Sequence, residues 1–143
     1  MIRRANRTKG RRRNERGAAA VEFALIAALL FTIVFGIYEF GLYFSQYEVF
    51  VSAAREGART AAVRGTDAQI TSAIDNSADP YTRNGSISVS VDGASSSDPA
   101  CDGTADTIGK QVTVSWPQKF TISVPLVPEI NKTVTISGVF ECE

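Results

Sequence analysis

Histidine is absent from this 143-residue chain. Serine and cysteine nucleophiles normally take their base from an imidazole, and zinc sites commonly draw ligands from it. The absence weighs against both kinds of centre. Cysteine occurs only at Cys101 and Cys142. Outside the cytosol such an even pair reads as one disulfide; the alternative is two free thiols. No residue set pairs a nucleophile with a base or forms a phosphate-binding glycine loop, so neither an enzyme nor a cofactor site is expected. Charge is also missing where it would matter most. From Phe23 to Tyr38 there are sixteen consecutive uncharged positions.

The formal net charge of zero conceals a division. Residues 1–17 hold eight of the fifteen Lys/Arg and one acid, Glu15, a local +7; residues 18–143 carry the compensating −7. The basic tail contains no aromatic residue for stacking on bases and abuts an apolar run, so nucleic acid is not the expected partner. It reads instead as a cytoplasmic anchor under the positive-inside rule, with the N-terminus in and the C-terminal part out. Arg3-Arg4 and Arg11-Arg12-Arg13 suggest twin-arginine export, but a glycine-to-apolar junction followed by an early acid fits that signal poorly.

Phe23 to Tyr47 is 25 residues with one charge, Glu39. As a helix it would measure about 37 Å, enough to cross an apolar layer of about 30 Å. Tyr38, Tyr43 and Tyr47 fit an outer interfacial belt. The run is longer than the roughly 7–15 apolar residues of a secretory signal, and aromatic residues rather than a small-residue cleavage site follow it. The junction that looks cleavable precedes it, between Gly17 and Ala18.

Gly17-Ala18-Ala19-Ala20-Val21-Glu22-Phe23 resembles a type IV prepilin-like processing site, with glycine before the cut and glutamate fifth in the mature chain. Arg16 through Leu25, then Gly36-Ile37-Tyr38-Glu39-Phe40-Gly41, then Ala53-Ala54-Arg55-Glu56-Gly57-Ala58-Arg59 together resemble the TadE-like family of Tad (tight adherence, Flp pilus) systems. These blocks lie within residues 16–64. The resemblance implies a non-enzymatic pseudopilin or minor pilin. A prepilin peptidase would remove its leader at Gly17/Ala18. Its partners would be other pilins or pseudopilins, the inner-membrane platform and membrane lipid. Its place would be the cytoplasmic (inner) membrane, single-pass, with possible association with the pilus.

Elementary electrostatics points the same way at Glu22. An acid at the centre of a membrane helix costs about 2.5–3.5 kcal/mol, and less near an end. Cleavage would expose an ammonium on Ala18, four residues away, able to pair with Glu22 in its own chain or a neighbour's. A helix N-terminus favours the anion as well. Glu39 has two readings: it snorkels to the interface, or it bonds a neighbouring helix that approaches over Gly36 and Gly41.

Four segments follow: a basic leader (1–17), a transmembrane helix (18–47), an extracytoplasmic helical extension (48–64) and a small α+β domain (65–143). Tyr47, Phe50, Val51, Ala54, Ala58, Ala61 and Ala62 make one apolar face, so a single helix is predicted over about 18–64, stopped by Gly65. Its extension would pack on a sheet, with coiled-coil pairing as the alternative. Glu56 and Arg59 have ion-pair spacing. Thr66-Asp67-Ala68-Gln69 reads as a capping box for a helix to about Asn76, with Ala68, Ile70, Ala73 and Ile74 inward. Asp79-Pro80 and Asn84-Gly85 are turn signals. Alternation at Ile87/Val89/Val91, Val112/Val114/Trp116, Ile122/Val124 and Val134/Ile136 predicts three or four antiparallel strands. The fold class is therefore α+β and pilin-like.

Residues 92–109 read as a polar surface loop. Asp98, Asp102 and Asp106 lack the D-x-D-x-D-G spacing of a calcium loop. A Cys101–Cys142 bridge would enclose 42 residues and contribute roughly 4 kcal/mol by the chain-entropy model. Two rival readings remain: an unprocessed, signal-anchored binding or structural domain, and a small hydrolase using carboxylates such as Asp92 or Glu129.

Overall fold

The computed structural model describes residues 12–93 and 98–143. The first eleven residues of the expected leader, and positions 94–97 of the expected loop, lie outside the described residues. The order is α1 (Arg12–Ala62), α2 (Asp67–Ala78), β1 (Ser88–Val91), β2 (Gln111–Ile122) and β3 (Ile130–Glu141). The strands form one antiparallel sheet in the order β1-β2-β3. A long helix against a small antiparallel sheet is the α+β arrangement expected.

Helix α1 is 51 residues long, roughly 76 Å at 1.5 Å per residue. It starts at Arg12 rather than after Gly17, so the proposed scissile bond lies inside a helical stretch. One interior glycine costs only about 1 kcal/mol relative to alanine, too little to end a helix whose neighbours all tolerate it. The other end also differs in detail. The Gly65 N–H donates to Thr60 O at 2.9 Å and the Arg64 N–H to Ala61 O at 3.2 Å, the paired bonds of a Schellman stop. The left-handed residue is Arg64, at φ 67°, not the glycine after it. Gly65 is needed for a different reason: a Cβ there would lie 2.7 Å from Thr60 Cγ2.

The last three turns of α1 are flat because their inward residues are small. Ala53, Ala54, Ala58, Ala61 and Ala62 are all fully buried, and Gly57 is buried with them. A Cβ on Gly57 would sit 2.5 Å from Ile74 Cγ1 of α2. On the sheet side Gly138 of β3 meets the helix backbone itself: an added Cβ would lie 2.6 Å from Arg55 N and closer still to the Ala54 carbonyl. Gly57 makes room for the Ile74 side chain of α2, and Gly138 lets β3 touch α1 backbone to backbone.

Helix α2 has Thr66 as its N-cap, whose N–H donates to Gln69 Oε1 at 3.0 Å. Its inner side is Ile70, Ile74 and Ala78. The helix runs two residues beyond Asn76, and Ala68, expected inward, is exposed because at about 100° per residue it lies across the helix from the buried stripe Ile70, Ile74 and Ala78.

Strand β2 carries the core, with Val112, Val114, Trp116, Gln118 and Phe120 buried on one face and polar or proline positions alternating on the other. The expected break between Trp116 and Ile122 does not occur, and Val124, expected in a strand with Ile122, lies beyond the strand's end. β2 runs unbroken to Ile122 and includes Pro117. Proline is tolerated because β1 pairs only with residues 112–115, which leaves Pro117 on an open edge on that side. Asn84 extends the ladder there without a strand: its side chain accepts from Lys119 N–H at 2.8 Å and donates to Lys119 O at 3.1 Å. Asn84-Gly85 is thus no hairpin turn but a side-chain-for-backbone pairing. Buried Gln118 is satisfied by Trp116 Nε1–H and Asn84 N–H, both at 3.2 Å from its Oε1.

Cys101 and Cys142 are joined, with Cα atoms 5.5 Å apart. The bridge pins residues 98–110 across the end of the sheet. Beside it the Glu143 N–H donates to Ala62 O at 3.1 Å, so the strand following Ile130 returns to the upper end of α1.

Candidate membrane-anchoring and assembly surface

The candidate site residues fall on the part of α1 that the domain does not cover. The helix from Gly17 to Ala62 contains an 18-residue window of mean hydropathy 2.5, and none of that window is buried within the chain. Phe23, Leu25, Ile26, Leu29, Leu30 and Ile37 are each more than half exposed. By length and composition this is a helix able to cross a membrane. Side chains this apolar are stable only where something other than water covers them.

Gly17, Ala18, Glu22 and Phe23 lie together over two turns near the start of this helix. A Cβ at Gly17 would meet nothing within 4 Å, and Phe23 is 73% exposed. Among the described residues Glu22 makes no hydrogen bond or ion pair, and neither does Glu39. Ala18 sits in an uncut helix, so the amine that Glu22 would pair with arises only on cleavage.

Gly36 and Gly41 are equally open, with no neighbour within 4 Å of an added Cβ. The three residues Gly36, Glu39 and Gly41 do not form one patch. At about 100° per residue, Gly36, Glu39 and Tyr43 share a face, while Gly41 lies about 140° around from Gly36. That shared face continues upward into Tyr47 and Phe50, which is the side on which the sheet packs.

The tyrosines expected in an interfacial belt divide accordingly. Tyr38 is 60% exposed. Tyr43 and Tyr47 are half-buried against the domain: Tyr43 meets Phe120 edge-on at 4.9 Å between ring centroids, and Tyr47 lies 6.4 Å from the same ring. Phe50 completes the cluster, 6.0 Å from Phe120 and 6.4 Å from Trp116. Domain packing therefore begins at Tyr43, a full turn before residue 48. Alternation signalled strands at Val112/Val114/Trp116 and at Ile122/Val124 but not at Phe120 between them, and nothing local to Phe120 indicated that it would dock on a helix nearly eighty residues earlier.

The polar loop after β1 uses its acids separately. Asp98 Oδ1 accepts from the Asp67 N–H at 3.0 Å and so serves the N-terminus of α2. Asp102 Oδ1 accepts from Thr104 N–H at 2.9 Å and from the Thr104 and Thr107 hydroxyls at 2.7 Å each. Those donors, the Thr104 backbone N–H foremost, hold its carboxyl below the ordinary value of 3.8. Among the described residues no three of these side-chain types converge as a metal would require. Asp92 and Glu129 lie at opposite ends of β2: the Asp92 N–H bonds Gln111 O, and Glu129 bonds Asn131 beside Ile130. They share no pocket. The Glu56–Arg59 pair forms at 3.7 Å on the exposed side of α1, where such a contact is worth only a few tenths of a kcal/mol.

Residues 17–59 match the family model described as TadE-like protein. The match covers the cleavable-looking junction, the apolar helix and the small-residue face, and it bears out the resemblance read from those blocks. No curated protein and no solved structure matches the chain. The family match and the long apolar helix together fit a membrane protein associated with Tad pili.

Proposed function

We propose that this chain is a pseudopilin or minor pilin of a Tad/Flp pilus apparatus, acting by assembly rather than catalysis. A prepilin peptidase cuts between Gly17 and Ala18 and removes the basic leader. The new amine pairs with Glu22 as the helix takes its place among other pilin or pseudopilin helices and the inner-membrane platform. The domain beyond residue 64 stands outside the cytoplasmic membrane, with the leader on the cytoplasmic face.

One observation carries the reading: the Gly17-to-Glu22 segment leads into an apolar stretch of α1 that the chain's own domain leaves uncovered, inside the residues matched by the family model. A helix of that kind needs lipid, partner helices or both. Intact-mass and N-terminal analysis of protein recovered from cells tests the proposal. Ala18 as first residue is expected, with the leader retained in Gly17→Ala and assembly lost in Glu22→Ala. Protein that always begins at Met1 would replace this reading with an unprocessed, signal-anchored exterior domain.

A further inference from the structure

The hairpin formed by β2 and β3 points down α1 towards its apolar half. Contacts establish the direction. Val114 lies beside Gly57, Trp116 beside Phe50 and Phe120 beside Tyr43, so β2 runs antiparallel to the helix. Ile122, paired with Ile130, is two residues past Phe120 and hence about 7 Å lower at 3.3 Å per strand residue. On the helix, Glu39 is four residues before Tyr43, about 6 Å lower. The turn beyond Ile122 therefore hangs below the level of Glu39, alongside the apolar run.

That turn is built unusually. The Val127 N–H donates to Val124 O at 3.1 Å, which makes Pro125 and Leu126 its central pair. Leu126 has φ 69°, at a position that turns of this kind reserve for glycine or asparagine. It is also 84% exposed. A strained backbone that presents a bare leucine gains nothing inside the chain; the arrangement makes sense if the side chain is placed for something outside. Val127 and Ile130 beside it are 44% and 52% exposed. One step higher, Lys119 and Lys132 are exposed, and Lys132 is the register partner of Phe120.

We infer that the β2–β3 turn is a second membrane contact, with Pro125, Leu126 and Val127 entering the acyl region of the leaflet beneath the domain and Lys119 and Lys132 at the lipid phosphates. The inference rests on the reading above that α1 spans the bilayer. The occupant is lipid because the turn is apolar at the depth where the adjacent helix is apolar, and cationic one step above. Glu129 limits the depth. It accepts from Asn131 Nδ2 at 3.2 Å and lies close to the level of Glu39, so the turn enters and the strands do not.

The test uses the full chain, disulfide intact, in vesicles of phosphatidylethanolamine and phosphatidylglycerol. An environment-sensitive fluorophore is placed on Leu126→Cys, on Leu30→Cys in the helix and on Ser77→Cys in α2. Val127→Cys serves as a second turn site should Leu126→Cys misfold. In the vesicles the turn and helix labels should be blue-shifted, and lipids carrying nitroxides along the acyl chain should quench them, with the α2 label unchanged by either. Lys119→Glu with Lys132→Glu should reduce the turn quenching. Quenching at residue 30 with a water-like turn label overturns the inference and leaves the spanning helix intact. No quenching at either site removes both. A blue-shifted turn label that lipid nitroxides do not reach overturns lipid in favour of a neighbouring protein.

Discussion

Replacing Gly138 by alanine adds one methyl group where α1 and β3 touch backbone to backbone. The new Cβ would fall 2.6 Å from Arg55 N and overlap the Ala54 carbonyl. No rotamer change can relieve this, because the obstructing atoms belong to a helix main chain. Overpacking of a tight core costs about 1–3 kcal/mol, and a backbone obstacle belongs at the upper end. For a domain of this size each kcal/mol moves the midpoint by roughly 4–8 °C, so a loss of about 3 kcal/mol predicts a fall of roughly 12–24 °C. Trp116, only 1% exposed and the single tryptophan, reports unfolding of the detergent-solubilised full chain by its fluorescence. Gly36→Ala is the control: nothing lies within 4 Å of its added Cβ, and it should melt with the wild type. Gly57→Ala should fall between them, since its obstacle is the buried Ile74 side chain, which can shift where a helix main chain cannot. A Gly138→Ala protein that melts with the Gly36→Ala control would refute the backbone contact between helix and sheet.

Three further outcomes are expected. Replacing Cys101 and Cys142 by serine should cost roughly 4 kcal/mol by the chain-entropy model, read as a lower denaturation midpoint with the far-ultraviolet circular dichroism of the folded state unchanged. Phe120→Ala should cost about 3–5 kcal/mol and raise the solvent exposure of Tyr43 and Tyr47, measured by iodide or acrylamide quenching. Asp102 has a folded-state carboxyl held below its ordinary 3.8. Its contribution should be complete above that value and vanish as pH falls through the lowered one. Asp102→Asn should therefore be less stable than wild type at neutral pH and converge with it in acid, in a melting series across that range.

Much of the architecture was legible because single physical signals carried it. Twenty-five residues from Phe23 to Tyr47 with a single charge announce a membrane-length helix, and the alternation at Val112, Val114 and Trp116 announces a one-sided strand. An even cysteine pair announced the bridge. What stayed hidden depended on distant partners. Gly138 looks like a weakness in a strand until the helix that touches it is placed. Pro117 looks like a strand end until β1 proves too short to need an N–H donor at that position. Arg64 takes the left-handed position because Gly65 is wanted for close approach to Thr60. At the candidate site, the residue types at Gly17 and Glu22 could be read directly. That Gly41 stands apart from Gly36 and Glu39 follows only from carrying one helix without a break to Tyr43.

That unbroken helix also makes the sheet-bearing domain a crank on the apolar shaft. Nothing hinge-like separates residue 23 from residue 62, so one residue inserted between Gly36 and Tyr43 would swing the whole sheet about 100° and lift it about 1.5 Å. Any torque or pull applied to the lower turns would arrive at the sheet as a change in heading.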